Sequence, residues 1–564
     1  MSTQPHLDGS TQAGITPLMA VCITSGPDSP QRALALIRDN VDVIARDHKR
    51  RTALHFALGV RDDDALGAID DDGRTSLYSE LGMTFGMERK NKRSLDTSDI
   101  RRPIYINPDL VRVLVDACPD LVKMKDYKGI LPIAYACKHY APYDVIKQLF
   151  NVYPDGVQVA RYYKFSTSTL VLLAYEKTVK EQSFLASCVA NALSNNSSSN
   201  VNAGVALALT VLAHEKAVKE NSVAAGNVAG ALKNISKSDA GRFECLAAGT
   251  PLALTILAGE KAVKENSDAA GNVAGALENI ATSDAGRQSC IDSGAPLALV
   301  LLSREEAVRE RGYAARSVAG ALCNIAQNDE GRFACIVAGA PLALTELANT
   351  KVSMRNVAHA LKNIAMNDAG IQACIDAGAH FALVALACDE DVIKDDEAAM
   401  FVAEALSNIS QNAAGRQACI DACVPLALTE LARTLTVRKN PYAAKNPYAA
   451  RSVAGALSSI AQSDLGRKAC IDVGAPLALV SMIRTKIVEE TYELVRNVAE
   501  ALYHISKSDA GRLSCITAGA PLVLQNLSNE EAVEKASVAA NHIVEAYKTL
   551  TGRTLQWGVN PGNR

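Results

Sequence analysis

Five asparagines, Asn234, Asn279, Asn324, Asn363 and Asn408, recur at steps of 45, 45, 39 and 45 residues, and Ser459 and His504 continue the row. A carboxamide offers one group that donates and one that accepts, so each can pair with a peptide unit. Cysteines form a second row: Cys245, Cys290, Cys335, Cys374, Cys419, Cys470 and Cys515. A thiol could bind metal, bridge to another thiol or simply fill a core. The closest pair, Cys419 and Cys423 in "CIDAC", has no second cysteine pair and no histidine cluster near it, so a metal site is not expected. Stacked helices lie about 8–10 Å apart, whereas a disulfide needs Cα atoms within about 7 Å. Equivalent cysteines are therefore expected to be small buried hydrophobes in a reducing compartment. No P-loop, Gly-x-Ser-x-Gly or His-Glu-x-x-His stretch occurs, and the nine histidines are scattered. The expectation is a protein that is not an enzyme, with no cofactor and no metal.

The elements that place these residues are repeated. "AAGNVAGALKNISKSDAGRFECLAAGTPLALTILAGEKAVKENS" begins at Ala224, and a near copy begins 45 residues later at Ala269. Pro251, Pro296, Pro341, Pro425, Pro476 and Pro521 mark a third register, with His380 in the missing place. Each unit parses into three helices. "NSVAAGNVAGALKNIS" carries Val223, Val228, Leu232 and Ile235 close to a helical stripe. Ser238 or Asp239 caps "AGRFECLAA", Gly249 ends it, and Pro251 opens the short apolar "PLALTILAGE". The 39-residue step lacks part of the "EKAVKE" region, read as a connecting loop, and the 51-residue step carries "NPYAAKNPYAA". No unit buries its own faces, so neighbours must stack into a superhelix. "ASVAANHIVEAYKT" matches the long helix again, with Thr549 at the Asn place, and predicts a closing half-unit over Leu522, Leu524 and Leu527.

Composition fits this plan. The chain has 564 residues, too many for one core, and is 48% hydrophobic but only 5% aromatic. Ala and Leu favour packed helices. A net charge of -3 argues against a nucleic-acid partner. No apolar run approaches the roughly 20 residues that span a bilayer, so no membrane insertion is expected. The opening "MSTQPHLDGSTQ" has no signal-peptide pattern. The expected localisation is cytoplasmic, with the nucleus second.

The pattern "A…AL.NI……GR…CI.AGAPLAL" closely resembles the armadillo repeat over roughly residues 165–550. The resemblance implies an all-α fold, an alpha-solenoid with a right-handed superhelix, whose long third helices line a concave groove. It further implies that an Asn ladder on those helices holds the backbone of an extended peptide, and Asn234, Asn279, Asn324, Asn363 and Asn408 match it. A structural role is the alternative, since an Asn near a helix end can satisfy a neighbouring backbone group, but the recurrence of a polar rather than an apolar residue favours the groove. Carriers similar to importin alpha place Trp four residues before the Asn, where this chain has Gly230, Gly275, Gly320, His359, Glu404, Gly455 and Glu500. It also lacks their basic N-terminal arm, so an import carrier is not expected. The glycines are read as room for close helix packing. Small polar residues flank the row, Asn227, Asn272, Ser317, Asn356, Ser452 and Asn497 before it and Ser238, Ser283, Asn328, Asn367, Asn412, Ser463 and Ser508 after it. They suggest a neutral strip and a partner without heavy charge.

The N-terminal part differs. "GITPLMAVC", "RRTALHFAL", "DGRTSLYSE" and "KGILPIAYACKH" resemble the opening helix of ankyrin repeats, and "PDLVRVLVDACPDLVKMKD" and "YDVIKQLFNVYPDGV" resemble the helix-and-turn that closes one. The expected organisation is an ankyrin-like repeat domain over 1–160 with a basic insertion loop near 81–106, an armadillo array over 161–550 and a C-terminal tail over 551–564. The loop holds "MERKNKRSLDTSDIRRP"; it reads as solvated, with nuclear targeting or phosphorylation at Ser94 as the alternative. The function implied is a non-catalytic scaffold or adaptor that binds a protein or peptide partner. The alternative is a substrate-recruiting subunit of an enzyme complex such as a ubiquitin ligase.

Overall fold

The computed structural model describes residues 16–24, 27–60, 106–161, 166–196, 204–351, 353–437, 448–484, 492–527 and 537–555. The "DGRTSLYSE" stretch, Ser94 and its basic loop, most of "NPYAAKNPYAA" and the end of the tail lie outside them. Every regular element among the described residues is helical. The chain divides into two compact units, Met1–Val218 and Lys219–Arg564. The helices Thr167–Ala174, Ser183–Asn196 and Val205–His214 thus group with the N-terminal part rather than with the array.

One unit of the array shows why the sequence folds as it does. The first helix runs Asp239–Ala247, the second Thr250–Gly259 and the long third Ser267–Ile280. Ser238 caps the first by accepting from the Gly241 N–H at 3.1 Å. The first helix starts so close to the preceding long helix that a Cβ at Gly241 would land on the Ile235 carbonyl oxygen. Only glycine fits there, and the same clash accounts for Gly286, Gly331, Gly415, Gly466 and Gly511 in the other "GR" pairs of the array. Gly249 sits at φ +69°, the left-handed turn between first and second helices. The equivalent pair Asp329–Val337 and Ala340–Asn349 meets at 74°.

The seven register cysteines are all fully buried, and none of the 14 cysteines is in a disulfide. Burial pushes the Cys374 thiol up to about 12, and its counterparts follow. Two expectations change. Val223 lies 62% exposed and takes no part in the stripe, whereas Val228, Leu232 and Ile235 are buried. The "EKAVKE" region is no plain loop, because Lys261–Lys264 forms one helical turn that buries Val263. At the chain end, Ser537–Thr551 packs on Tyr492–Ile505 and buries Ile543, Ala546 and Leu550. Leu524 and Leu527 are buried as expected, but Leu522 is already 63% exposed.

The N-terminal unit pairs short helices across tight turns. Pro17–Thr24 packs on Ser29–Arg38 and on Ala53–Ala57, and Pro132–Lys138 packs on Tyr143–Val152. In "TALHFA", Thr52 and His55 form a buried capping box, with the Thr52 N–H donating to His55 Nδ1 at 3.1 Å. That bond needs a neutral ring, and burial lowers the His55 pKa to about 4.

Candidate functional site: the ladder of long helices

The third helices Ser222–Ile235, Ser267–Ile280, Gly312–Ile325, Met354–Ile364, Asp396–Ile409, Tyr448–Ile460 and Tyr492–Ile505 pack each on the next. This row brings the predicted asparagines into line. Asn279 Nδ2 donates to the Lys233 carbonyl at 3.0 Å, Asn324 Nδ2 to Glu278 at 2.9 Å, Asn363 Nδ2 to Cys323 at 3.0 Å and Asn408 Nδ2 to Lys362 at 3.0 Å. Each accepting carbonyl belongs to the last turn of the preceding long helix, where main-chain oxygens lack a partner within the helix. Each Asn therefore caps the long helix of the unit before it. Asn234 differs: it is exposed, and its Oδ1 accepts from Lys237 Nζ at 3.0 Å. Asn279, Asn324 and Asn408 are half-buried, and Asn363 is buried.

The Oδ1 atoms of Asn279, Asn363 and Asn408 accept no hydrogen bond among the described residues. Gln327 Nε2 approaches Asn324 Oδ1 at 3.4 Å.

A second rung lies seven residues, nearly two turns, before the first. Asn272, Asn356 and Asn497 donate Nδ2 to the carbonyls of Gly226, Arg316 and Arg451 at 3.0–3.1 Å. The row after the ladder plays a different part. Ser283, Asn328, Asn367, Asn412, Ser463 and Ser508 are N-caps of the first helices, as Ser238 is. The neutral strip is thus largely engaged within the protein.

Charges also enter the surface, mostly paired across helices. Lys362 and Glu404 lie 2.8 Å apart, and Arg451 reaches both Glu404, at 3.6 Å, and Glu493. Lys233 lies 4.4 Å over the Tyr313 ring and donates to its hydroxyl, which in turn donates to Asn272 Oδ1 at 2.8 Å. Glu278 stands next to this group with its carboxyl raised to about 7, because burial outweighs the stabilising pull of Lys233, Ser317 and Arg316. At the second-rung place of the helix Asp396–Ile409, Phe401 stacks on His359 at 3.9 Å, and burial lowers the His359 pKa to about 4.

Two of the glycines four residues before the ladder lie against the ends of flexible side chains from the preceding long helix. A Cβ on Gly320 would strike Glu278 Oε1, and one on Gly275 would meet Lys233 Cε at 2.9 Å. The sequence-based account missed two features. The spacing of seven between the Asn rungs carried the signal for one. The other is the Arg of "GR": Arg287 Nη1 donates to the Ala281 and Thr282 carbonyls at 3.2 and 3.4 Å, just past the same helix end.

No protein-family model matches the chain, and no curated protein matches it. Solved structures do. An engineered protein superposes with a TM-score of 0.52 at 24% identity, over 77% of this chain and 95% of its own. A designed armadillo repeat protein in complex with the peptide (KR)4 superposes with a TM-score of 0.37 at 22% identity, over 45% and 98%. Computationally designed armadillo repeat proteins for modular peptide recognition give 0.35 at 23%, over 44% and 98%. The first likeness is one of fold. The chain is an α-solenoid, built over the array from capped units of two short helices and one long helix.

Proposed function

We propose that this protein is a non-catalytic interaction scaffold that holds an extended segment of a protein partner along the row of long helices. The observation that carries this is the division of labour within each ladder carboxamide. Nδ2 is fixed to the preceding helix end, which orients the side chain, while Oδ1 of Asn279 and Asn408 is left to accept from a partner. Each Asn then offers the partner one bond, from Oδ1 to a backbone N–H, rather than two. An extended chain rises about 3.3 Å per residue, and packed helices lie about 8–10 Å apart. One ladder contact thus falls every two to three partner residues.

Selectivity comes from the side chains between the rungs. The Lys233–Tyr313 pair and the His359–Phe401 stack present flat, partly apolar faces, and the cross-helix pairing of charge favours a partner of mixed or low charge. The N-terminal helix pairs serve as an ankyrin-like companion to this array.

The test is selection of peptides from a display library on the full chain. We expect binders of low net charge whose affinity falls when Asn279 and Asn408 are replaced together by Ala. Binders indifferent to that double replacement, with the helical signal intact, would place the partner elsewhere.

A further inference from the structure

Two turns of the N-terminal unit share one backbone plan. The Asp47 N–H donates to the Arg51 carbonyl and the Asp126 N–H to the Ile130 carbonyl, each at 3.0 Å. The two turns also touch, with the Tyr127 N–H donating to the Lys49 carbonyl at 3.0 Å. Equivalent places hold Arg46 and Lys125, Lys49 and Lys128, and Arg50 and Gly129. The tips are therefore basic in both copies.

The aspartates of these turns offset their positive charge only in part. Asp47 is buried, accepting from the Arg51 N–H and Nε at 2.7 Å each. Asp126 is buried too, accepting from the Lys128 and Ile130 N–H groups at 2.8 Å and from the Tyr135 hydroxyl at 2.6 Å. Among the exposed acids of this unit, Asp42 accepts from the Ile44 N–H, and Asp120 pairs with Lys123 at 3.2 Å. Arg46, Arg50, Lys125 and Lys128 are exposed, and Lys128 Nζ lies 5.3 Å from the centre of the Tyr127 ring.

Arg50 adds a second observation. It sits at φ 58°, in the left-handed region, where its counterpart Gly129 sits at φ 77°. Glycine is the residue this turn favours, and a long side chain held there is strained. What the arginine adds is charge at the tip.

We propose that these two turn tips form a docking surface for an acidic, extended segment of a protein partner. Among the described residues the basic side chains of the two turns outnumber the acidic ones, and such a surplus draws an acidic ligand and steers it to the site. An acidic peptide fits better than nucleic acid. The patch spans only two turns, and the whole chain carries a net charge of -3, which disfavours a long polyanion.

The test uses the full chain, a labelled octaglutamate peptide and a thymidine oligonucleotide of similar charge. The peptide is expected to bind at low salt and to be released at about 1 M salt, where the screening length is roughly 3 Å. Replacing Arg46 and Lys128 together by Ala should weaken it about tenfold, while the Asn279→Ala change leaves it unaltered. Arg50→Gly should weaken binding severalfold and yet raise the melting temperature by roughly 2–4 °C. Absence of peptide binding would overturn the proposal. So would binding indifferent to these replacements, or an oligonucleotide that binds through the same residues as tightly as the peptide.

Discussion

Asn324 reaches back across one repeat and donates Nδ2 to the main-chain oxygen of Glu278 at 2.9 Å. Glu278 is the residue just before Asn279, which makes the same bond to Lys233 one unit earlier. The ladder is therefore a chain of helix caps made in trans. Each unit closes the open end of its predecessor, and this links the Asn register to the stacking of the array. A side chain held this way is also pre-oriented, which lowers the entropy lost when a partner binds.

Arg287 serves the carbonyls just past the same helix end. Its Nη1 serves the Ala281 and Thr282 carbonyls and also Gln327 Oε1 at 2.8 Å, and the guanidinium pairs with Asp284. Arg287→Ala should destabilise the array by about 1–2 kcal/mol, mainly through carbonyls left unpaired. Chemical denaturation followed by circular dichroism measures it. The unit with Ile371 at this place shows that one such arginine is dispensable, so the loss should be partial, not global.

Cys423 takes the place that glycine holds in the other units, at φ 59°, and is exposed. An L side chain costs roughly 1–2 kcal/mol there. Cys423→Gly should stabilise the array by about 1 kcal/mol, less the entropy glycine returns to the unfolded chain. The mirror change, Gly378→Ala at φ +69°, should destabilise by a similar amount. Paired denaturation midpoints check both signs.

Glu278 gives a pH signature. Burial raises its folded pKa from 4.5 to about 7, so the folded state holds the proton more tightly than the unfolded chain. The associated stability is present below about 4.5 and lost as pH rises through 7. Glu278→Gln, which cannot ionise, should therefore raise stability by about 1–3 kcal/mol at pH 8 and have almost no effect at pH 4. Melting curves of both proteins across this range test it. Equal stabilisation at both ends would assign the effect to packing instead.

Much of the array was legible because its signals are local and repeated. The cap residue, the Gly of "GR", the left-handed Gly249 and the buried Cys245 are each demanded by one turn of backbone, and each recurs in register. What the ladder asparagines touch was less legible. A carboxamide serves a helix end or a bound peptide with the same atoms, and only the neighbouring unit's position shows that Nδ2 is already engaged. Glu278 and Tyr313 gave no signal at all, since their meeting with Lys233 and Asn272 depends on contacts between units far apart in sequence. Val223 misled for a related reason. It continues the helical period, but at the start of the helix that face points to solvent.

The central claim is that ladder Oδ1 atoms accept from a partner's backbone N–H groups. The direct measurement takes a peptide selected on the full chain and replaces one amide at a time by an ester, which removes a single N–H and leaves the side chains. Esters at residues facing the ladder should weaken binding by roughly 0.5–1.5 kcal/mol each, and positions between them should be silent. In the Asn279→Ala protein, the ester that faces Asn279 should cost nothing further, so the two losses do not add. Full affinity for every ester, or losses that add independently of Asn279, would contradict the account.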